Sequence, residues 1–501
     1  MTGPRPDPAE HVEREVKLEA ELDAVLPDLA GVATTGERRV HDLAATYLDT
    51  PGLALQRART TLRRRTGGDD AGWHLKLPRE DGARTERHAP LGRTAARVPP
   101  ELRELVTAVV GAAPLLPVAT LLTRRAETDL LDDSGRVVAV LCDDVVLTAP
   151  AGEGWRELEV ELAPGADAAV LERAVAALVG DARTGISRSG RASKVARALG
   201  PLPDPPPPRS PVSSAAEVLL DYLRVQVGVV QAREGGVRTH DPDAVHKTRV
   251  ALRRLRSTLR VYRRLLDREV TDPLREEMRW YAGVLGEVRD IDVVRQHLRA
   301  MTTALPGPRP EAVRARIEST LDEAHESATE QLAEALDSER LDRLAEQLAD
   351  LAAAPPWRGR ARRRARAVLP RLAGQAVRRA ERTAAEAAAA TDADDQQRLV
   401  HETRKRAKAA RYAHEALVPA WGGPADAAAA GWERVTELLG STQDGVTAAS
   451  WLARTRSAAA ADGEEVAPFD VLAERVAREA AAAQDAGGDA LDGARSVPRL
   501  R

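Results

Sequence analysis

Glu13-Arg14-Glu15-Val16-Lys17 decides how the first part of this chain is read. Strand side chains alternate between two faces, so Glu13, Glu15 and Lys17 share one face, and Val12, Arg14, Val16 and Leu18 the other. One such segment alone reads as a solvent-facing edge strand. The pattern recurs: Arg63 with Arg65, His74 with Lys76, Arg84 with Glu86, and Glu157 with Glu159 and Glu161 each share a face. Several strands charged on one side and aliphatic on the other predict an antiparallel β-barrel with a charged interior. The strands are read at Val12–Leu18, Thr61–Arg65, Trp73–Leu77, Val137–Leu141 and Arg156–Leu162, with helices near Pro100–Val110 and Asp167–Val179.

Acids and bases in one lumen have a chemical logic. Carboxylates are hard oxygen ligands for Mg²⁺ or Mn²⁺, while Arg and Lys neutralise phosphate oxygens that a metal does not reach. Glu13 and Glu15 facing Glu157 and Glu159 would repel one another without a cation, which makes a metal the simpler reading.

The chain has 501 residues, enough for two cores, and a formal net charge of -3 that argues against a general nucleic-acid coat. Only six of its 74 basic residues are lysines: Lys17, Lys76, Lys194, Lys247, Lys405 and Lys408. A compact ammonium on a flexible stem closes on a phosphate oxygen where a guanidinium fork is too large, so these six mark candidate phosphate contacts. The single cysteine, Cys142, fits a reducing compartment. The N-terminal MTGPRPDPAEHVEREVK lacks the apolar core of a signal peptide, and Leu105 to Leu122 is interrupted by Gly111, Pro114 and Pro117. A cytoplasmic protein with no membrane span is expected.

Gly200-Pro-Leu-Pro-Asp-Pro-Pro-Pro-Pro-Arg-Ser-Pro211 carries seven prolines and reads as a stiff linker. Domains are expected at 8–199 and 213–490, joined by 200–212. The second is helical throughout and repeats itself. Val245-His-Lys-Thr-Arg249 aligns with Val400-His-Glu-Thr-Arg404, and Leu285-Gly-Glu-Val-Arg-Asp290 with Leu439-Gly-Ser-Thr-Gln-Asp444. An all-α duplicated helical bundle follows. His246, Arg249, Arg253, Arg256, Arg260 and Arg263 recur at spacings of 3 and 4, forming one helical stripe beside the apolar Leu252, Leu255, Leu259, Tyr262 and Leu266. His401, Arg404, Lys408 and Arg411 repeat the basic stripe. Like charges at i,i+4 repel, so a line of cations without interleaved acids calls for an anion or a facing acidic helix. Residues 358–382 add ten arginines against one acid, Glu381.

The ordered set Glu13-x-Glu15-x-Lys17, Tyr47-Leu-Asp49-Thr50, Leu62-Arg-Arg-Arg65, Leu75-Lys76-Leu77, Arg124-Arg125, Glu157-x-Glu159-x-Glu161 and Ser193-Lys194 resembles the CYTH family across residues 11–199. These are also called triphosphate tunnel metalloenzymes. The resemblance implies an eight-stranded antiparallel tunnel of α+β class that binds a triphosphate with one or two divalent cations, Mg²⁺ or Mn²⁺. Glu13, Glu15, Glu157 and Glu159 resemble the metal-facing acids, with Asp143 and Asp144 competing for a further acidic position. Lys17, Arg63, Arg65, Lys76, Lys194 and one of Arg124 or Arg125 resemble the phosphate clamps. Glu13, Glu15 and Lys17 are the expected catalytic set.

Residues 213–490 are similar to the CHAD family, the conserved-histidine α-helical domain. His246-Lys247-x-Arg249, Arg253-Arg254-Leu-Arg256, Arg289-Asp290, His401-x-x-Arg404-Lys405 and Lys408-x-x-Arg411-Tyr412 carry this resemblance. It implies two pseudo-symmetric four-helix bundles that bind inorganic polyphosphate through His246, Lys247, Arg249, Arg253, Arg254, Arg256, Arg260, His401, Arg404, Lys405, Lys408 and Arg411. Lys247 lies one residue off the stripe. In the second repeat, Gln443 and Ala409 replace the arginines matched by Arg289 and Arg254.

The leading expectation is metal-dependent hydrolysis of inorganic triphosphate in the tunnel, with polyphosphate bound by the helices and no specific nucleic acid or membrane partner. A non-catalytic polyphosphate adaptor is an alternative from another class. A tunnel enzyme acting on an organic triphosphate, as thiamine triphosphatases, nucleoside triphosphatases and class IV adenylyl cyclases do, is a third.

Overall fold

Alternation along the first part of the chain builds one antiparallel sheet of ten strands. It is seen in a computed structural model that describes residues 9–79, 83–150, 152–180, 184–190, 193–204, 208–302, 310–496 and 499–500. The strands are β1 Ala9–Glu13, β2 Glu15–Ala20, β3 Thr34–Asp49, β4 Thr61–Thr66, β5 Gly72–Pro78, β6 Arg84–Ala89, β7 Leu116–Leu131, β8 Val137–Ala149, β9 Gly154–Leu162 and β10 Ile186–Arg188. They pair in the order β1-β6-β5-β4-β3-β7-β8-β9-β2-β10.

The two sides of that order meet at the N-terminal segment. β1 pairs with β6 from Ala9↔His88 to Glu13↔Arg84, and β2 pairs with β9 from Glu15↔Glu161 to Ala20↔Arg156. Only Arg14 separates the two strands, and its carbonyl accepts a hydrogen bond from the Leu162 N–H at 2.9 Å. The single strand expected over Val12–Leu18 is therefore broken. A segment that leaves one partner for another must interrupt its ladder at the exchange. Three-residue β10 covers the end of β2.

Five helices belong to this part: α1 Ala54–Arg57, α2 Pro100–Leu105, α3 Thr107–Val110, α4 Ala168–Val179 and α5 Lys194–Leu199. The apolar strand faces look away from the charged ones and are roofed by these helices. Leu18, Leu158 and Val160 pack with Ala174, Val175 and Leu178 of α4. Leu48, Leu62, Trp73 and Leu75 pack with Leu102, Val106 and Val110 of α2 and its neighbours. Each large apolar side chain buried this way contributes roughly 1.5–3 kcal/mol. Most of this apolar packing lies outside the sheet, while on the charged face Tyr47, Leu121, Val146 and Trp155 form a smaller cluster with Val195 of α5. Among the described residues no helix is long and apolar enough to cross a membrane.

The helical part comprises α6 Ala215–Ala232, α7 Glu234–Arg238, α8 Pro242–Val261, α9 Arg268–Thr302, α10 Pro310–Leu336, α11 Glu339–Ala353, α12 Ala365–Ala389, α13 Ala393–Glu415, α14 Val418–Trp421, α15 Gly423–Ala461 and α16 Ala467–Arg495. Ser214 and Glu217 form a reciprocal capping box that starts α6. The repeat seen in sequence places α8 in correspondence with α13, and α9 with α15. The apolar stripe of α8, Leu252, Leu255 and Leu259, continues through Tyr262 and Leu266, all fully or almost fully buried. By its internal contacts the chain divides into Met1–Pro205 and Pro206–Arg501, a division that falls within the proline stretch.

Candidate functional site

Strand register fixes which charges meet. Arg125 of β7 stands opposite Asp144 of β8, Asp144 opposite Glu157 of β9, and Lys17 of β2 opposite Glu159 of β9. The Arg125 guanidinium donates from two nitrogens to Asp144 at 2.8 and 2.7 Å, and also to Glu159 at 2.8 Å. Helix α5 begins at Lys194, with the Ser193 hydroxyl accepting from the Ala196 N–H at 3.2 Å. That start directs Lys194 Nζ to within 3.0 Å of Asp144 Oδ2 and 2.8 Å of both Glu157 Oε1 and Glu159 Oε1. Lys17 Nζ lies 3.0 Å from Glu15 and also bonds Glu159. The Trp155 indole N–H holds the other Glu157 oxygen at 2.6 Å.

Burial alone would raise the carboxyls of Glu159 and Asp144. The cations of Lys17, Lys194 and Arg125 outweigh it for Glu159 and hold that group well below the usual carboxylate range. Lys194 and Arg125 likewise outweigh burial for Asp144 and lower it. Lys194 is itself held well above its ordinary value, because the three carboxylates overcome its burial.

Of these groups Lys17, Arg125, Glu159 and Lys194 line a cavity of about 100 Å³, with Asp144 and Glu157 behind them, and further cations line the rest. Arg63 and Arg65 come from β4, Lys76 from β5 and Arg84 from β6. Burial, and then the neighbouring Arg63 and Arg125, push the Arg65 guanidinium down, although Asp70 of the β4–β5 turn is paired with it. Across all described lining residues seven Arg and Lys side chains face four carboxylates. The surplus is positive.

The structure separates the two ambiguous pairs. Arg124 points outward and is exposed, whereas Arg125 is in the cavity. Asp143 is bonded on the outer face to Arg156 at 2.8 and 3.0 Å, whereas Asp144 is wholly buried in the charged cluster. Neither Arg124 nor Asp143 joins the site, because adjacent residues of a regular strand face opposite ways. The side chain of Glu13 lies outside the described residues.

The helical part holds a second, larger cavity of about 930 Å³. Both basic stripes line it: His246, Arg249, Arg253, Arg256 and Arg260 from α8, and His401, Arg404, Lys405, Lys408 and Arg411 from α13. Arg275 and Arg289 join from α9. Ten Arg and Lys side chains face two acids, Asp290 and Glu437, among the described lining. Burial, then Arg275, lowers the guanidinium values of Arg256 and Arg260. Burial, followed by Arg289, Arg253 and Arg249, lowers His246 and favours its neutral imidazole. Cations that depress one another in a cavity are poised for an anion.

Two glycines make room for this wall. A β-carbon on Gly286 of α9 would lie 3.3 Å from Arg249 Nη2, and one on Gly440 of α15 only 2.9 Å from Arg404 Nη2. The Leu-Gly pair recognised in both repeats thus seats one arginine in each.

The chain is 33% identical over 507 residues to the uncharacterized proteins Rv2226 and MT2285 of two Mycobacterium tuberculosis strains, with 93% of either chain covered. The CYTH domain profile matches residues 11–198, and the CHAD domain profile residues 221–453. The chain belongs to the CYTH–CHAD family. Among solved structures, PptA from Streptomyces chartreusis is 22% identical, covering 56% of this chain and 100% of that one, with a TM-score of 0.46. The CHAD domain of the plant Ricinus communis is 21% identical, covering 60% and 99%, with a TM-score of 0.44. HpAC1 from Hippeastrum, described as having a dominant triphosphatase activity, is 18% identical, covering 38% and 98%, with a TM-score of 0.27.

Within the CHAD domain two expected ligand contacts lie elsewhere. Arg254 Nε donates to Glu415 of α13 at 2.7 Å and its guanidinium sits 5.7 Å from the Tyr412 ring, so it braces two helices. Lys247 pairs with Asp243 at 2.7 Å on the half-exposed side of α8. Helix geometry explains both: each is one residue, about 100°, off the stripe. The side chains of Gln443 and Asp444 lie outside the described residues.

Other lining residues were not among the expected contacts. In the CYTH domain these are Tyr47, Thr61, Asp70, Arg84, Glu86, Glu161 and Ser193. Tyr47, Arg84, Glu86, Glu161 and Ser193 carried a signal, as members of a motif or a charged strand face. Asp70 arrives on a turn and carried none. In the CHAD domain, Arg275 and His297 come from α9, where nothing beyond the Leu-Gly motif pointed to the cavity.

Proposed function

We propose that the CYTH domain hydrolyses inorganic triphosphate with a divalent cation, Mg²⁺ or Mn²⁺, and that the CHAD domain binds linear polyphosphate. The observation that carries the first half is the small cavity of about 100 Å³ lined by seven Arg and Lys side chains, with Glu159 at its edge joined through Lys194 to buried Asp144 and Glu157. Pockets for drug-sized organic ligands run to about 300–1,000 Å³, so this volume favours a compact anion.

The carboxylates fit a hard cation in chemistry. Glu15, Asp144, Glu157 and Glu159 offer only oxygen donors, and the last three already converge on one positive centre, the Lys194 ammonium. Among the described residues no group of three ligands is arranged for a metal as it stands. Glu15 and Glu159 would hold the cation, Asp144 and Glu157 supporting them. A bound cation supplies charge that polarises the phosphoryl oxygens. Arg63, Arg65 and Lys76 would orient the phosphate chain. Lys17, Arg125 and Lys194 would stabilise the charge that builds on the departing diphosphate while water attacks the terminal phosphorus.

Release of phosphate from tripolyphosphate, ATP and thiamine triphosphate, each with Mg²⁺ or Mn²⁺, tests the substrate. Tripolyphosphate is expected to be turned over fastest. Glu159→Gln is expected to lose this activity while keeping its fold by circular dichroism. Unchanged turnover in that variant would overturn the site, and preference for either organic substrate would overturn the inorganic assignment.

The second half rests on the ten cations of the CHAD cavity. Arg253→Gln with Lys408→Gln is expected to weaken polyphosphate binding strongly. It is also expected to flatten its salt dependence, because each lost phosphate contact removes a released counterion.

A further inference from the structure

The basic stripe of α8 does not end with the cavity. Arg253, Arg256 and Arg260 line it, and the next member, Arg263, is exposed one turn further on, beside exposed Arg264. Both lie in the short 3-10 turn Arg263–Leu265. A second 3-10 turn, Gly359–Arg362, is held against the first. The Arg358 N–H donates to the Leu265 carbonyl at 2.8 Å, and Leu266 bridges to Trp357. This brings exposed Arg360, Arg362, Arg363 and Arg364 alongside Arg263 and Arg264. None of these six makes an ion pair among the described residues, and nearby Asp267 is bonded to Arg358 at 3.2 Å.

Stability does not account for the second group. Arg364 is the N-cap of α12, with no side-chain cap and no acid in the first turn. Cations at a helix N-terminus oppose its macrodipole. The first N–H groups of α12 are already satisfied by the Ser213 and Pro211 carbonyls at 2.7 and 2.9 Å. A local rule broken without a compensating contact marks a functional surface. The track continues on α12, where Val261 packs with Ala376, Val377 and Ala380, and Arg379 is close enough to Arg260 to lower its guanidinium value.

We propose that this arginine surface is an extension site for a long linear polyphosphate whose other part occupies the CHAD cavity. The inference rests on the polyphosphate reading of that cavity and adds where the chain leaves it. A phosphate chain is favoured over single-stranded nucleic acid because base stacking needs exposed aromatic faces. Among the described residues Trp357 beside these arginines is half-buried and pinned by its bridge to Leu266, and Trp421, packed on the same core, is half-buried too.

The test compares the full chain with a variant carrying Arg263→Gln, Arg264→Gln, Arg360→Gln, Arg362→Gln and Arg363→Gln. Binding of short-chain polyphosphate, long-chain polyphosphate and a single-stranded RNA is measured by titration at several salt concentrations. The native chain should bind long polyphosphate more tightly than short. The variant should lose about tenfold in affinity for the long chain, with a shallower salt slope, and stay within about twofold for the short one. Equal affinities of native and variant protein for the long chain would overturn the extension, as would equal losses for both lengths. RNA binding that matches long polyphosphate and falls with it in the variant would make this a nucleic-acid surface instead. If the native chain binds neither length, both readings fail. If it binds the short chain and gains nothing from length, only the extension fails.

Discussion

Gly440 and Arg404 are in steric register: a β-carbon on the glycine would come within 2.9 Å of the guanidinium, and Gly286 repeats the relationship with Arg249 at 3.3 Å. In a helix interior glycine costs roughly 1 kcal/mol relative to alanine. The CHAD domain bears that cost twice at matched places, which ties the glycines to where the arginine heads lie.

Gly440→Ala should therefore separate stability from binding. The clash falls on the far end of a flexible side chain, so the helix should gain stability and the melting temperature should hold or rise. Displacing Arg404 should weaken polyphosphate binding about tenfold, the worth of one charged hydrogen bond. Gly286→Ala, with its looser contact, should show the smaller loss. Calorimetry and a binding titration on the same preparations check both.

Adjacent aspartates give a sharper contrast in the CYTH domain. Asp144→Asn removes the bidentate partner of Arg125 and one of three carboxylates around Lys194, and should reduce tripolyphosphate hydrolysis by about a hundredfold or more. Asp143→Asn loosens only the outer-face pair with Arg156 and should stay within about twofold. Similar losses in both variants would contradict the register assigned to β8.

Arg254 and Glu415 make a pH-dependent contribution whose sign follows from the carboxyl. Burial would raise Glu415, but its bonds with Arg254 and Arg411 outweigh this and lower it. A carboxyl lowered by folding stabilises fully above its unfolded value of about 4.3 and loses that contribution as pH falls through the folded value. Arg254→Met should thus cost about 1.5–3 kcal/mol at neutral pH, and the difference from the native chain should shrink below about pH 4. Urea unfolding followed by far-UV circular dichroism at both pH values reads the effect, while polyphosphate affinity at neutral pH should be unchanged.

These contrasts also show where sequence reading succeeds. Period-two charge placed Lys17, Arg63, Arg65, Lys76 and Glu159 on inward faces, because only alternation and burial were needed to decide them. It could not separate Arg124 from Arg125 or Asp143 from Asp144, since neighbours of one chemical type leave parity undetermined until a partner strand fixes the register. The stripe of α8 was legible for the same reason, and Arg254 was misread because a motif keeps residues together that a helix turns apart. Arg275 and Asp70 reach their cavities from α9 and from a turn, by tertiary packing that no local spacing encodes. The break at Arg14 was hidden too, as it depends on β6 and β9 arriving on either side.

That break has a consequence for the order in which the domain acquires its chemistry. Glu15 and Lys17 lie on β2, which pairs with Arg156–Glu161, whereas β1 across the break pairs with Arg84–His88. Pairings between residues so distant in sequence form slowly, because the intervening chain must be closed before they give any return. The segment around Arg14, held on both sides by distant strands, is thus among the last pieces set in the wall. Until β2 pairs with β9, Lys17 and Glu159 stay apart, and the charged cluster is complete only when the sheet is.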